Sequence, residues 1–425
     1  MHRIRPWLLA LLLAGCASTP VIVLGPNAPT DLLAQQLALD TALYKGEARP
    51  GNAVALLRDG RQTFPAMFAA MAQARDSIDL EYYIFQDIHT AGDSLGDMLT
   101  RKLAQGVAVN IVMDGYGSRN TDPQFIARLQ QAGAKVLVYH PLTPDAMLHL
   151  ENPNDRDHRK IMVVDGKVAF VGGINLDRVY ENHADPQAAV DGDAKHAFWT
   201  DTDARIEGPA VADLQHAFFD TWQRQGGPAV EKRSYYPPLA EAGQESVRII
   251  ASAPHQDRPL YYATFLMALH AAKRSVDLGT GFFVPTHQER EQMAKAARRG
   301  ADVKLVLPSV SSVPAALAAG RAAYGDLLEA GAQIWEIQFT VLHSKFATID
   351  GVWTTVGSSN LDRRSVVFNN EVDAVIFGRQ TAAAARAIFD DDIGKSRPIT
   401  LAEWRKRPLG EKLYELYART WEFLM

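Results

Sequence analysis

The chain has 425 residues, of which 47% are hydrophobic and 22% charged, and its formal net charge is -5. This composition is that of a globular protein, and the length exceeds what one ordinary core accommodates, so we expect two domains. The acidic balance disfavours a general nucleic-acid-binding protein, although it remains compatible with a local basic groove.

The amino terminus resembles a bacterial export signal. Residues 1–5 carry two arginines, residues 7–13 form an apolar run too short to span a bilayer, and Leu13-Ala14-Gly15-Cys16 follows. Cys16 is the single cysteine of the chain. The stretch is similar to a lipobox, which predicts that Cys16 is lipidated and begins the mature protein. An ordinary cleaved signal peptide is the alternative.

The lipobox resemblance implies a protein of the bacterial cell envelope that is anchored by lipid and faces the periplasm. Ala17 follows Cys16 where an aspartate would favour retention in the inner membrane, so the outer membrane is preferred. With one cysteine, the mature chain would contain no disulfide. Residues 17–50 contain four prolines, three of them before residue 31, and a stretch of helical apolar spacing at 31–43, and we interpret them as a tether and linker.

The rest of the chain contains an internal repeat. Three stretches of the first half match three of the second, and each match places a helix end or a glycine before an apolar strand. The matched pairs are 68–80 with 265–278, 105–113 with 299–307, and 129–136 with 328–334. Alternating helices and strands indicate an α/β fold, and the repeat predicts two similar domains, 51–240 and 241–425, related by a pseudo-two-fold axis.

A His-x-Lys-x4-Asp pattern occurs in both halves, at residues 158–165 and 343–350. Six residues later come a pair of small residues and, two positions on, an asparagine: Gly172-Gly173 with Asn175, and Gly357-Ser358 with Asn360. On a strand the histidine and lysine would point to the same face, because side chains alternate. Duplication of the whole spacing makes an ordinary surface strand an insufficient explanation.

These residue types suit chemistry on a phosphodiester. One histidine can attack phosphorus while the other protonates the leaving oxygen, and lysine ammonium and asparagine amide groups can hold the negative charge that develops. A metal site is disfavoured, because lysine is not a usual ligand and the sequence has no His/Cys cluster. No nucleotide-binding loop is recognisable, so we expect no cofactor.

The duplicated motif resembles that of the phospholipase D superfamily, and within it the chain is most similar to bacterial cardiolipin synthases. Supporting stretches are Tyr82-Tyr83-Ile84-Phe85, Gly172-Gly173-Ile174-Asn175-Leu176-Asp177 and Gly357-Ser358-Ser359-Asn360-Leu361-Asp362. The resemblance implies a mixed sheet flanked by helices in each half, and one active site at their interface.

The resemblance also implies a role for each motif residue. His158 is expected as the nucleophile and His343 as the acid and base, with Lys160, Lys345, Asn175 and Asn360 binding the phosphate oxygens. The repeat aligns Asp201 with Glu371, and each would orient the histidine of its own or of the opposite half. Asp165 and Asp350 belong to the catalytic motif but would be mainly structural, holding a turn and tying the halves together. The hydroxyls of Ser358 and Ser359 are further candidate donors, and exposed serines of a loop are the alternative.

The predicted reaction is phosphatidyl transfer through a phosphohistidine, most plainly cardiolipin synthesis from two phosphatidylglycerols with release of glycerol. Exchange with another alcohol such as ethanolamine is compatible with the same first step. The alternatives are a hydrolytic phospholipase D that produces phosphatidic acid, and a phosphodiesterase or nuclease. The expected partners are phosphatidylglycerol and a membrane surface rather than nucleic acid, and the sequence does not determine the oligomeric state.

Overall fold

The structure of the protein is a computed structural model that describes residues 20–22, 31–39, 48–143, 152, 154–181, 193–194, 197–254 and 259–420. Cys16 and the predicted export signal lie outside these residues. In the described ranges, no helix has both the length and the apolar character that crossing a bilayer requires.

Twenty strands are present in the described part of the chain, and most of the longer ones are buried apolar runs. They are β1 Arg49–Arg58, β2 Ser77–Tyr82, β3 His89–Thr90, β4 Asp93–Ser94, β5 Ala108–Asp114, β6 Lys135–Tyr139, β7 Arg156–Asp157, β8 Lys160–Val164, β9 Val168–Gly172, β10 Trp199–Thr200, β11 Thr202–Glu207, β12 Glu245–Ser252, β13 Ser275–Thr280, β14 Asp302–Pro308, β15 Gln333–Ile337, β16 Val341–Leu342, β17 Lys345–Ile349, β18 Trp353–Gly357, β19 Asn369–Phe377 and β20 Ser396–Ile399.

The described α-helices are mostly short and lie between the strands. They are α1 Leu32–Leu39, α2 Asp59–Gln73, α3 Leu95–Ala104, α4 Pro123–Gln131, α5 Val211–Arg224, α6 Leu260–Ala271, α7 His287–Arg298, α8 Pro314–Arg321, α9 Tyr324–Glu329, α10 Arg363–Val367, α11 Arg379–Gly394, α12 Leu401–Arg405 and α13 Leu409–Arg419. Local signals set several starts: Asp122 caps α4 before a proline, and Thr286 with Glu289 forms a capping box on α7.

One sheet of sixteen strands runs through both halves of the described chain. Its main path is β20-β15-β14-β13-β17-β18-β19-β12-β1-β11-β9-β8-β2-β5-β6. Apart from β20, the two halves follow the same order outward from the β1–β12 junction. Along this path, three adjacent strands in each half are parallel and the other pairings are antiparallel. The predicted α/β class, with two similar halves that each contain a mixed sheet flanked by helices, is confirmed.

The hydrophobic core has three main parts. One part contains the helices α2, α3 and α4 of the first half, and a second contains α6, α7 and α9 of the second half. The third lies on the other face of the sheet and is shared: residues of β8, β9 and β11 pack in it with residues of β17, β18 and β19, beneath α5 and α11. The two halves are therefore joined by a common sheet and a common core.

Candidate active site

Both histidines lie at one edge of the sheet, where the parallel strands of each half end. His158 precedes β8, whose first residue, Lys160, is opposite Tyr82 at the end of β2. His343 precedes β17 in the same way, with Lys345 opposite Thr280 at the end of β13. We call the edge formed by the carboxyl ends of β2, β5, β6, β13, β14 and β15 the active-site edge.

Two short parallel ribbons bring the halves together at this edge. The strand β7, just before His158, pairs with the start of β19, and β16, just before His343, pairs with β10. The ribbons continue into the histidine backbones: the amide of His158 donates to the carbonyl of Asn370 at 2.9 Å, and that of His343 to the carbonyl of Thr200 at 2.8 Å. Each accepting residue directly precedes one of the two predicted acids, Glu371 and Asp201.

Each imidazole consequently meets the carboxylate of the opposite half. Nδ1 of His158 lies 3.0 Å from Oε2 of Glu371, and Nδ1 of His343 lies 2.7 Å from Oδ2 of Asp201. All four side chains are largely buried. Of the two arrangements left open by the sequence, the structure has the crossed one in both cases.

Further polar groups surround the two acids and differ between the halves. Glu371 accepts hydrogen bonds from Ser358 Oγ at 2.5 Å, Ser365 Oγ at 2.8 Å and Asn369 Nδ2 at 3.0 Å. Asp201 instead lies 3.4 Å from the hydroxyl of Tyr180, which is also 3.0 Å from Nδ1 of His343. Neither the role of Tyr180 nor that of Ser365 was predicted from the sequence. Their equivalent positions in the repeat could have indicated both residues, because each lies three residues after the aspartate of a repeated Asn-Leu-Asp.

The serine pair is not available to a substrate as expected. Ser358 donates to Glu371, and Ser359 donates to the buried carboxylate of Asp373 at 2.5 Å. The reason is that both hydroxyls point into the protein toward acids on β19. The interpretation of Ser358 and Ser359 as direct donors to the phosphate was therefore wrong.

The two lysines are buried beside the histidines. Each Nζ donates to the backbone carbonyl of the histidine two residues before it, at 2.6 Å for Lys160. Burial lowers the pKa of Lys160 to about 7 and that of Lys345 to about 8, because it disfavours the charged form. A bound anion would therefore stabilise the charged form of both lysines, because it replaces part of the hydration that burial removes.

Burial also keeps the imidazoles neutral in the absence of a substrate. It lowers the pKa of His343 to about 3, an effect reinforced by the charge of Lys345 and opposed by Asp201. The pKa of His158 is likewise lowered well below its usual value, by burial and by Lys160. Burial raises the pKa of Glu371 to about 7. A neutral imidazole is the form required of a nucleophile.

The two asparagines occupy equivalent positions but make different contacts. Asn175 accepts from the amide of Ile84 at 3.2 Å, so part of its capacity is committed. For Asn360, the buried Oδ1 has no hydrogen-bond partner among the described residues. Phosphate binding by these amides stays a prediction.

Asp165 and Asp350 lie at the other end of their strands, away from the histidines. Each has a left-handed backbone conformation in the turn and accepts hydrogen bonds from three consecutive amides: Asp165 from residues 75–77, and Asp350 from residues 273–275. They therefore hold the turn, as expected. The expectation that they also tie the halves together was wrong, because each carboxylate binds amides of its own half.

Aromatic side chains enclose the histidines. The ring of Tyr83 lies 5.1 Å from that of His158, and the ring of Trp199 lies 5.1 Å from that of His343. The ring of Phe282 lies 6.2 Å from that of His343. Such walls exclude water, and this strengthens the electrostatic interactions inside the site.

Comparison with known proteins identifies the family. The sequence profile described as "Cardiolipin synthase, PLD-like domain" matches residues 67–189 and again residues 265–393. The chain belongs to the phospholipase D superfamily. Each match contains one of the two His-x-Lys-x4-Asp motifs, so the superfamily's repeat coincides with the structural repeat.

The relatives of this member of the phospholipase D superfamily include bacterial cardiolipin synthases. The cardiolipin synthase of Geobacillus thermodenitrificans is 32% identical over 368 residues, which cover 86% of this chain and 71% of that protein. That of Alkalihalophilus pseudofirmus is 29% identical over 389 residues, covering 91% and 74%. The chain is accordingly a phosphatidyltransferase of the phospholipase D superfamily, similar to cardiolipin synthases.

The fold has a counterpart among solved structures. The crystal structure of phosphatidylserine synthase from Haemophilus influenzae aligns with a TM-score of 0.64 and covers 92% of this chain and 98% of that one. The two sequences are 12% identical, so the likeness concerns the fold.

Proposed function

We propose that this protein transfers the phosphatidyl group of one phosphatidylglycerol to another, which produces cardiolipin and glycerol. The observation that carries the proposal is the crossed pairing of two buried histidines with Glu371 and Asp201 beside two buried lysines. The family and its cardiolipin synthase relatives support the choice of lipid. Such a site can stabilise an anionic phosphoryl group without a nucleotide.

The first step forms a phosphohistidine. Each imidazole is held through Nδ1, so Nε2 of His158 attacks phosphorus and the bond from phosphorus to the glycerol oxygen breaks. His343, in its protonated form, gives its proton to that oxygen, and glycerol leaves. Burial and then the charge of Lys345 lower the pKa of His343, and the negative charge of the bound anion opposes both effects and so favours this protonation.

The second step returns the enzyme to its starting state. His343, now neutral, removes the proton from a hydroxyl of the second phosphatidylglycerol, and the oxygen attacks phosphorus. The bond from phosphorus to His158 breaks, and cardiolipin is released. Lys160, Lys345, Asn175 and Asn360 would hold the non-bridging oxygens in both steps. Glu371 and Asp201 would orient the imidazoles.

Mass spectrometry of the lipid products tests this function. Detergent-purified protein is incubated with phosphatidylglycerol micelles, with and without ethanolamine, and a His158→Ala variant is the control. We expect cardiolipin and an equal amount of free glycerol, both absent with His158→Ala. Phosphatidic acid alone would make the enzyme a phospholipase, and a second lipid with ethanolamine would show head-group exchange. Absence of lipid turnover together with release of nucleotides from DNA would support a nuclease instead.

The assignment of the two histidines predicts different behaviour in a trapping experiment. With a substrate whose leaving group needs no proton, His343→Ala should still accumulate a phosphoenzyme, while His158→Ala should form none. Protein quenched and kept at alkaline pH, where the phosphorus–nitrogen bond is stable, is analysed by mass spectrometry, which gives the mass of the phosphatidyl adduct and its position. Accumulation in His158→Ala instead would reverse the roles.

We also propose that the mature chain is anchored to the bacterial envelope through a lipid on Cys16. The support is the lipobox-like sequence and the absence of a second cysteine. Incorporation of labelled fatty acid into the wild type, but not into Cys16→Ser, would be the expected result. Label in both proteins would place the modification elsewhere.

A further inference from the structure

Exposed large hydrophobic residues of both halves lie at the active-site edge. In the first half, Tyr116 and Leu142 follow the ends of β5 and β6. In the second half, Val313 and Phe339 follow the ends of β14 and β15, and Phe339 is 62% exposed. Single exposed hydrophobic residues are common, but a group on the same edge of both halves indicates an interaction surface.

The helix α13 adds an apolar stripe to this surface. Leu409, Leu413 and Tyr417 are spaced by four residues, so they share one helix face, and they are 70%, 57% and 59% exposed. The opposite face packs inward, where Ala418 contacts a small cluster that includes Val284. Because Val284 lies just beyond the end of β13, the helix ends beside the active-site edge.

The amino-terminal segment reaches the body of the protein at the same edge. The amide of Ile22 donates to Gln288 Oε1 at 3.0 Å, and Nε2 of Gln288 donates to the carbonyl of Ile22 at 2.8 Å. Gln288 lies in the first turn of α7, which follows β13 and so begins at the active-site edge. Ile22 lies six positions after Cys16, so a fully extended chain would span at most about 20 Å between them. A lipid on Cys16 would therefore hold this edge near a bilayer.

Cations accompany the apolar residues. The guanidinium of Arg119 lies 4.3 Å from the ring centroid of Tyr116, and Lys406 and Lys412 flank the start of α13. On the same helix Glu415 is paired with Arg407, so its charge is offset locally. Basic side chains beside exposed aromatic and aliphatic groups complement the anionic head groups and the acyl region of a phosphatidylglycerol surface.

We propose that the active-site edge, together with the apolar stripe of α13, is a surface that docks on an anionic phospholipid bilayer. Docking there would let a phosphodiester reach His158 and His343 while its acyl chains stay in the membrane. The inference rests on the proposed function for its choice of lipid, but docking is measurable separately from catalysis.

Residue-specific fluorescence tests the surface. Since Cys16 is the only cysteine, the full chain with Cys16→Ser accepts one new cysteine at a time. Phe339→Cys and Leu413→Cys label the surface, and Tyr236→Cys is the matched control: Tyr236 is 46% exposed and follows Tyr235, whose carbonyl lies against the turn at Gly166, at the opposite edge. Each is coupled to a dye whose emission rises in an apolar environment.

With phosphatidylglycerol vesicles we expect emission to rise about twofold or more at positions 339 and 413, and to stay unchanged at 236. The rise should be smaller with vesicles of phosphatidylcholine, which lack net charge. No rise at 339 and 413, or an equal rise at 236, would overturn the inference. A rise without vesicles that depends on protein concentration would instead assign the surface to a second copy of the chain. A normal fluorescence response without cardiolipin formation would refute the proposed function and leave docking intact.

Discussion

His158 and His343 are held by acids of different length, and the neighbouring residues compensate for the difference. At position 358 a serine donates to the longer Glu371. The equivalent position in the first half is Gly173, where an added Cβ would lie 2.8 Å from Cγ of Asp201. The small residues of each motif therefore have two roles. They let two backbone segments approach closely, and they match the length of the acid beside them.

The pKa values of the two buried lysines predict how kcat/KM falls at alkaline pH, which is the alkaline limb of the pH profile. The pKa is about 7 for Lys160 and about 8 for Lys345, and above these values the lysines lose the charge that attracts a phosphodiester. We expect kcat/KM to fall as the pH rises from about 7 through about 8, since kcat/KM reports groups of the free enzyme.

Lys160→Arg is the control for this assignment. Arginine stays charged throughout this range, so the limb should move from about 7 toward the value of the remaining Lys345. An unchanged limb in Lys160→Arg would show that another group is responsible.

At the scale of elements, the two parallel ribbons determine which acid meets which histidine. The pairs β7–β19 and β10–β16 each join strands of opposite halves, and each ends at a histidine on one strand and beside an acid on the other. The ribbon register therefore fixes the crossed arrangement through the backbone. The loop from the end of β9 to Asn175 must therefore leave space for the side chain of Asp201.

Gly173→Ala should disturb this loop without unfolding the protein. The added methyl group would displace the Asp201 carboxylate, so we expect activity to fall about 100-fold and the unfolding free energy by about 1–3 kcal/mol. Phosphatidyl transfer and chemical denaturation measure the two effects. Gly394→Ala is the control, because a Cβ there meets no atom within 4 Å, and it should leave both quantities nearly unchanged. Full activity in Gly173→Ala would show that the Asp201 position is not critical.

The whole molecule behaves as one unit because its halves share a sheet, a core and a buried cation. Arg159 is fully buried and donates to Ala217 O at 3.0 Å and Thr221 Oγ1 at 2.8 Å in the first half. It also donates to Ser252 O at 2.8 Å and Glu371 O at 3.2 Å in the second. This single side chain between the catalytic histidine and lysine thus connects both halves.

Arg159→Met should destabilise the entire protein. It leaves the buried Glu81 without the charge that lies 3.7 Å away, and we expect a loss of about 3–5 kcal/mol in the unfolding free energy. Denaturant unfolding should remain a single transition, because the continuous sheet and the shared part of the core join the two halves. Arg101→Met removes a surface pair with Asp93 and should cost less than about 1 kcal/mol. Two separate transitions in the wild type would contradict this picture of one unit.

The site was predicted from the sequence only as far as local patterns reach. The alternation of side chains along a strand predicted that each histidine lies on the same side as its lysine. The repeat aligned Asp201 with Glu371. Tyr180 was missed because a 3-10 helix of three residues is too short to show a periodicity that indicates its partner. Direct donation by Ser358 and Ser359 was predicted wrongly because sequence spacing does not show toward which neighbour a hydroxyl points.

The sequence by itself determined the repeat, the α/β class, the duplicated motif and the family, because these depend on residue identity and spacing along the chain. Only the tertiary structure decided that Glu371 faces His158 and Asp201 faces His343, since residues 213 and 142 positions apart meet through ribbons between the halves. It also decided that Asp165 and Asp350 stay in their own halves, and that exposed hydrophobic residues of both halves, such as Leu142 and Phe339, lie at the active-site edge. Such proximities follow from how strands pair and pack, which the local periodicity of a chain does not specify.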